Sequence, residues 1–121
     1  MAHQERRSSQ RIDDKETALK IRADGFDMAT HTLNISSSGL YCKVDKELPL
    51  MSRIKLMLML SDSGKADKQA KALEVEGVVV RAHPVIIDGK IRHYDVAIFF
   101  DSLEPKARDL IADYIARKKA A

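Results

Sequence analysis

The chain has 121 residues, 45% of them hydrophobic and 32% charged, the balance of one soluble globular domain with no room for a second. A net charge of +3 is too mild for a general nucleic-acid binder, and no apolar run approaches the roughly 20 residues of a membrane span. A lone cysteine cannot form an internal disulfide and the first residues lack the apolar stretch of a secretory signal, so the expected compartment is the cytoplasm.

Residues 1–11 are polar and follow neither a period of 2 nor one of 3.6, which predicts an arm that is mobile without a ligand. Residues 1–22 carry six Lys/Arg against four Asp/Glu, and three of the six lie between Arg6 and Arg11. Such a cluster is a local site for a small anion or an arm for a polymer. Asp13-Asp14 reads as surface charge or as a neighbour of these arginines.

Ala18–Arg22 alternates and predicts the first strand, ended by the Asp24-Gly25 turn; Met28–Ile35 is the second. Gly39–Val44 is the third, with Leu40, Cys42 and Val44 on one face and Tyr41 and Lys43 on the other. Cys42 therefore reads as a small core residue rather than a nucleophile. Leu48-Pro49-Leu50 breaks the pattern and is expected to cross an end of the sheet. Arg53–Leu60 is the fourth strand, with Ile54, Leu56, Leu58 and Leu60 inward. Lys55, Met57 and Met59 make its other face partly apolar, which predicts a cover, the C-terminal helix being the candidate.

Ser61–Gln69 is a solvated loop. In the long strand Leu73–Ile87 the alternation slips, for Leu73 and Val75 share one parity while Val78, Val80 and Ala82 take the other. A β-bulge near Gly77 would re-phase them. Asp88-Gly89 predicts a two-residue hairpin returning through Ile91–Phe100, and Pro84 makes part of it an edge or a distorted segment. Ser102 or Glu104 is placed to cap a helix with Pro105 in its first turn, and Leu103, Ala107, Leu110, Ile111, Tyr114 and Ile115 form its apolar stripe. Arg117, Lys118 and Lys119 either complement the helix dipole or belong to a solvated tail, the reading preferred here. The sum is a mainly β chain: a six-stranded antiparallel β-barrel over residues 13–121, a C-terminal α-helix packed against it, and an arm over residues 1–12.

Chemistry concentrates in two places. Asn34-Ile35-Ser36-Ser37-Ser38-Gly39 is a polar knot between two strands. Asn34 and the serines can bond nearby backbone, and Gly39 permits the positive φ of a tight corner. Read by itself the knot is a tight connection between antiparallel strands. Upstream, Arg7 and Arg11 form R-x-x-x-R, and Asn34, Ser36 and Gly39 form N-x-S-x-x-G. No catalytic constellation accompanies them. The four histidines have no metal-ligand spacing, and no Gly-rich phosphate loop occurs, so neither an enzyme nor a metal or cofactor site is expected.

The two motifs, in this order within a small β-rich chain ending in a helix, resemble the PilZ domain family of bacterial cyclic di-GMP receptors, over about Arg6 to Ile115. The resemblance implies that Arg7 and Arg11 grip phosphate and guanine, that Asn34, Ser36 and Gly39 receive a guanine, and that Arg6 belongs to the binding of a stacked, intercalated dimer of the nucleotide. Two cyclic di-GMP per chain are therefore expected. The chemistry agrees: arginine's planar fork bonds phosphate or guanine O6/N7 bidentately and stacks on the base. Ser36 Oγ and the amides beside Gly39 would close the other side of the ligand. Arg81, interrupting the apolar run Val78–Ala82, is a further candidate, its alternative being a rim charge.

Two positions depart from the family pattern: Asn34 stands where Asp is frequent, and the last strand lacks a glycine often found before its apolar end. The expected activity is second-messenger signalling, of the kind that regulates motility and biofilms. Ligand orders the arm and changes the surface shown to an unidentified effector protein, with no membrane insertion. Two other readings stand beside it: an adaptor of the same fold working by protein contact alone, and a small barrel binding single-stranded nucleic acid. Only six aromatic residues, few of them expected outward on strands, count against the last.

Overall fold

The computed structural model describes residues 12–13, 17–23, 25–60 and 71–120, and among these described residues the apolar and polar alternation becomes seven strands, followed by one helix. The strands are β1 (Ile12–Asp13), β2 (Ala18–Ala23), β3 (Phe26–Ile35), β4 (Gly39–Val44), β5 (Arg53–Leu60), β6 (Lys71–Ile87) and β7 (Lys90–Asp101), and the helix is α1 (Pro105–Ala120). Neighbours pair antiparallel in the order β1-β3-β2-β5-β6-β7-β4, and a further β3–β4 pairing joins the ends of the series β3 to β4. Six strands thus close into a barrel, which removes the open sheet edges. β1, absent from the sequence reading, lies outside this ring. It continues the edge of β3 beyond β2, with Ile12 opposite Ile35 and Asp13 opposite Asn34.

The interior is filled by the expected strand parities: Leu19 and Ile21 of β2, Leu40, Cys42 and Val44 of β4, Ile54, Leu56, Leu58 and Leu60 of β5, and Val96, Ile98 and Phe100 of β7. Gly77 belongs here for lack of a side chain. A Cβ on it would lie 2.5 Å from Ile98 Cγ2 and 3.2 Å from Leu56 Cδ1. The bulge expected at Gly77 falls instead between Val79 and Arg81, where β6 gains one residue on β7. Val75, Gly77 and Val79 keep one inward parity, and only Val80 is extra. The reason is contact: the β5 pairing continues unbroken to Val78, so the ladder can be interrupted only beyond it.

Helix α1 starts as its sequence predicts, with the Glu104 carbonyl accepting from Arg108 N–H at 2.9 Å and Pro105 in the first turn. Ile111, Tyr114 and Ile115 enter the core, and Leu103, Ala107 and Leu110 pack at its margin. The Tyr114 hydroxyl meets Thr17 Oγ1 at 2.6 Å in a buried hydrogen bond that ties the helix to the start of β2. Arg117 ion-pairs with Asp113 and Lys118 Nζ stands 5.7 Å from the Tyr114 ring centre, so these cations belong to the helix rather than to a loose tail. The helix does not cover the methionine face of β5. Met57 and Met59 line a surface groove with Lys20, Met28 and Lys55, to which the helix contributes no residue. The helix stripe meets the residues that point into the barrel, and that face of β5 is on the other side. The hairpin is as expected: Asp88 (φ 54°) and Gly89 (φ 78°) both have the positive φ of a type I′ turn.

Candidate functional site

The knot at the end of β3 is a closed elbow. Ser36 N–H donates to Gly39 O at 2.8 Å, and Ser36 Oγ lies 3.3 Å from the same oxygen, accepts from Ser38 N–H at 3.2 Å and stands 3.1 Å from Ser38 Oγ. Ser36 is fully buried. Its hydroxyl, expected at the ligand surface, is turned into the elbow and holds its shape. Gly39 is likewise needed for a reason other than the one the sequence suggests. Its φ is not positive; a Cβ there would stand 2.4 Å from Ile98 O and 3.3 Å from Phe99 Cα. β4 and β7 meet too closely at this point for any side chain. The Ser38 carbonyl then accepts Phe100 N–H at 2.9 Å, so elbow and last strand are joined.

Two one-residue bulges decide what faces outward beside this elbow. In β3 the register on β4 shifts between Thr32 and Asn34. Thr32 and Ile35, three apart, both point inward and are fully buried, and Asn34 is turned to the outer face opposite Tyr41. Unbroken alternation from Thr32 would have pointed Asn34 into the barrel. In β6 the bulge at Val80 does the same for Arg81, which faces outward opposite Ala97. Since Tyr41 is also opposite Ala97, Asn34, Tyr41, Ala97 and Arg81 form one row across β3, β4, β7 and β6. At the ordinary strand spacing that row is roughly 14 Å long.

Of the residues singled out in the sequence, the fold brings together Asn34, Gly39 and Arg81 around this face, with Ser36 beneath it. Arg6, Arg7 and Arg11 lie outside the described residues, as do Asp14 and the loop 61–70. The chain nevertheless enters the barrel next to the elbow, since Ile12 pairs with Ile35. Sequence reasoning missed Tyr41 and Phe99 as members of this face, and Phe99 is 51% exposed. The signal was present: of two consecutive strand residues, Phe99 and Phe100, one must point outward. Among the described residues no group of His, Cys, Asp or Glu is placed to hold a metal ion, and no helix is long and apolar enough to cross a membrane.

The described residues thus make a six-stranded barrel with a C-terminal helix and a polar outer face beside the β3–β4 elbow. The family model described as the PilZ domain matches residues 5–117, and the chain belongs to that family. Among solved structures, the inhibitor of motility MotI/DgrA of Bacillus subtilis is similar at a TM-score of 0.73 and 17% identity, over 93% of this chain and 50% of that one. The K. pneumonia MrkH–c-di-GMP complex gives 0.74 and 15%, over 93% and 52%. The PilZ domain with c-di-GMP of YcgR from Escherichia coli gives 0.66 and 15%, over 95% and 97%. The chain thus spans about half the length of the first two, and these likenesses establish the fold. A comparison with curated proteins gives no match.

Proposed function

We propose that this chain is a cyclic di-GMP receptor that holds the nucleotide between the segment preceding β1 and the outer face bearing Asn34 and Arg81. The observation that carries the reading is the pairing of Ile12 with Ile35, one residue from Ser36. Arg11 is covalently next to Ile12, and Arg7, five residues before it, is within about 18 Å by chain length alone. Both motif arginines are therefore tethered within reach of the elbow. Their guanidinium forks suit two phosphodiesters and two guanines, and the solved complexes of MrkH and of the YcgR PilZ domain hold this nucleotide.

On this reading the ligand-binding residues are Arg6, Arg7, Arg11, Asn34, Gly39 and Arg81, with Ser36 fixing the elbow. Two nucleotides bind per chain as an intercalated dimer. The arm, of which Ile12 is already held in β1, folds its residues 1–11 over the barrel on binding, and the altered surface is read by an effector protein in the cytoplasm. The protein transmits a signal and catalyses nothing. Calorimetry with cyclic di-GMP tests this. Heat of binding is expected at micromolar protein and is lost when Arg7→Ala and Arg11→Ala are combined. No heat with the parent chain, or unchanged heat with the double variant, rejects it.

One observation favours a second reading, an adaptor working by protein contact alone. Ile86, Ile87 and Ile91 are exposed on the β6–β7 hairpin, beyond the last β4 pairing at Tyr94. The same titration separates the two, since an adaptor leaves the nucleotide in solution.

A further inference from the structure

Phe99 occupies an unusual place for an exposed aromatic. It points outward from β7, its direct partners are Gly39 on β4 and Val78 on β6, and two residues back along its own face stands Ala97. Single exposed apolar residues are ordinary. Here, however, the neighbours are too small to lean over the ring: one has no side chain at all, and it belongs to the motif turn. The larger groups stand on the diagonals. Tyr41 and Arg81 are both opposite Ala97, which puts each roughly 7–8 Å from Phe99 across the two adjacent strands, within reach of long side chains. Phe99 is also fixed to the elbow, because the next amide, Phe100 N–H, bonds the Ser38 carbonyl at 2.9 Å.

We infer that Phe99 is a base platform: a guanine of the bound nucleotide lies over its exposed ring, flanked by Tyr41 and Arg81. The inference rests on the reading of this face as a cyclic di-GMP site and adds a residue that neither motif contains. A purine offers a flat π-face that stacks on phenylalanine whatever its hydrogen bonds, and such stacking is a sizeable share of nucleotide affinity. Arg81 supplies a cation beside the same base. The nearest acid on this face of β7, Asp101, lies two residues beyond Phe99 on the side away from Ala97 and is ion-paired with Arg53.

The chain contains no tryptophan, which makes a direct test available. Phe99→Trp introduces one reporter at the platform. Its emission is expected to be quenched on titration with cyclic di-GMP, with an affinity within about threefold of the parent. Phe99→Leu keeps an apolar group without a ring, and is expected to weaken binding about tenfold or more, the loss of one base stack. Circular dichroism and melting of both variants confirm that they are folded. Parental affinity in Phe99→Leu, or tryptophan emission unmoved at saturating ligand, overturns the platform while leaving the receptor reading intact. Absence of binding to the parent chain overturns both.

Discussion

Gly39 faces the carbonyl oxygen of Ile98 so closely that a Cβ on it would stand 2.4 Å away. The contact is with backbone, which cannot swing aside as a side-chain tip can. The same strand pair carries the Ser38–Phe100 hydrogen bond, so the glycine sets how tightly the elbow is held to β7. A residue that the motif pattern assigns to the ligand is therefore also a closure residue of the barrel.

Gly39→Ala is expected to lower stability by about 1–3 kcal/mol, the range for forcing a methyl group into a filled site. Urea unfolding measures it. A variant as stable as its parent would mean that β4 and β7 do not meet this closely.

If the ligand is a stacked dimer, Arg6 is the residue whose loss should show in stoichiometry rather than in binding as such. Arg6→Leu is expected to take the calorimetric ratio from two nucleotides per chain to one. An unchanged ratio would remove Arg6 from the site.

The Thr17–Tyr114 hydrogen bond joins elements 97 positions apart in the chain. Tyr114→Phe keeps the buried ring and removes the hydroxyl, with an expected cost of about 1 kcal/mol. Adding Thr17→Val should cost less than that change does alone, because the two positions share one interaction. Strictly additive costs would show that the hydroxyls are uncoupled.

Burial, and secondarily the Asp95 carboxylate, push the Cys42 thiol up to about 12 from an ordinary 9.0. Between those values the unfolded chain releases a proton that the folded chain retains. The contribution to stability is thus complete below about pH 9 and declines by about 1.4 kcal/mol per pH unit as pH rises toward 12. Cys42→Ala should lack that part of the decline. Comparing urea midpoints of both chains at pH 8 and pH 10 isolates it, because the other alkaline groups are common to the two. Parallel changes in both chains would contradict the burial of a neutral thiol.

Much of this architecture was legible beforehand. Six strands, the Asp88-Gly89 hairpin and the start of the helix at Pro105 follow from local patterns, since side-chain period and turn chemistry act over a few residues. Asn34, Gly39 and Arg81 were legible as candidates by motif or by an interrupted apolar run. Their reasons for being where they are were not. Gly39 looked like a corner residue because glycine's commonest use is positive φ. Its actual constraint comes from Ile98, 59 positions away. Met57 and Met59 looked as if they awaited the helix, but α1 found its partners at the opposite face.

By itself, then, the sequence determined the six strands of the barrel, which of their residues are core-like, and that a polar motif spans the turn between two of them. The direction in which Asn34 and Arg81 point was decided only by the tertiary structure. Each is turned outward by one extra residue, Leu33 or Val80, that has no partner on the neighbouring strand. A bulge is a mismatch between two strands, so its position depends on where the partner's ladder begins and ends. No period within a single segment carries that information.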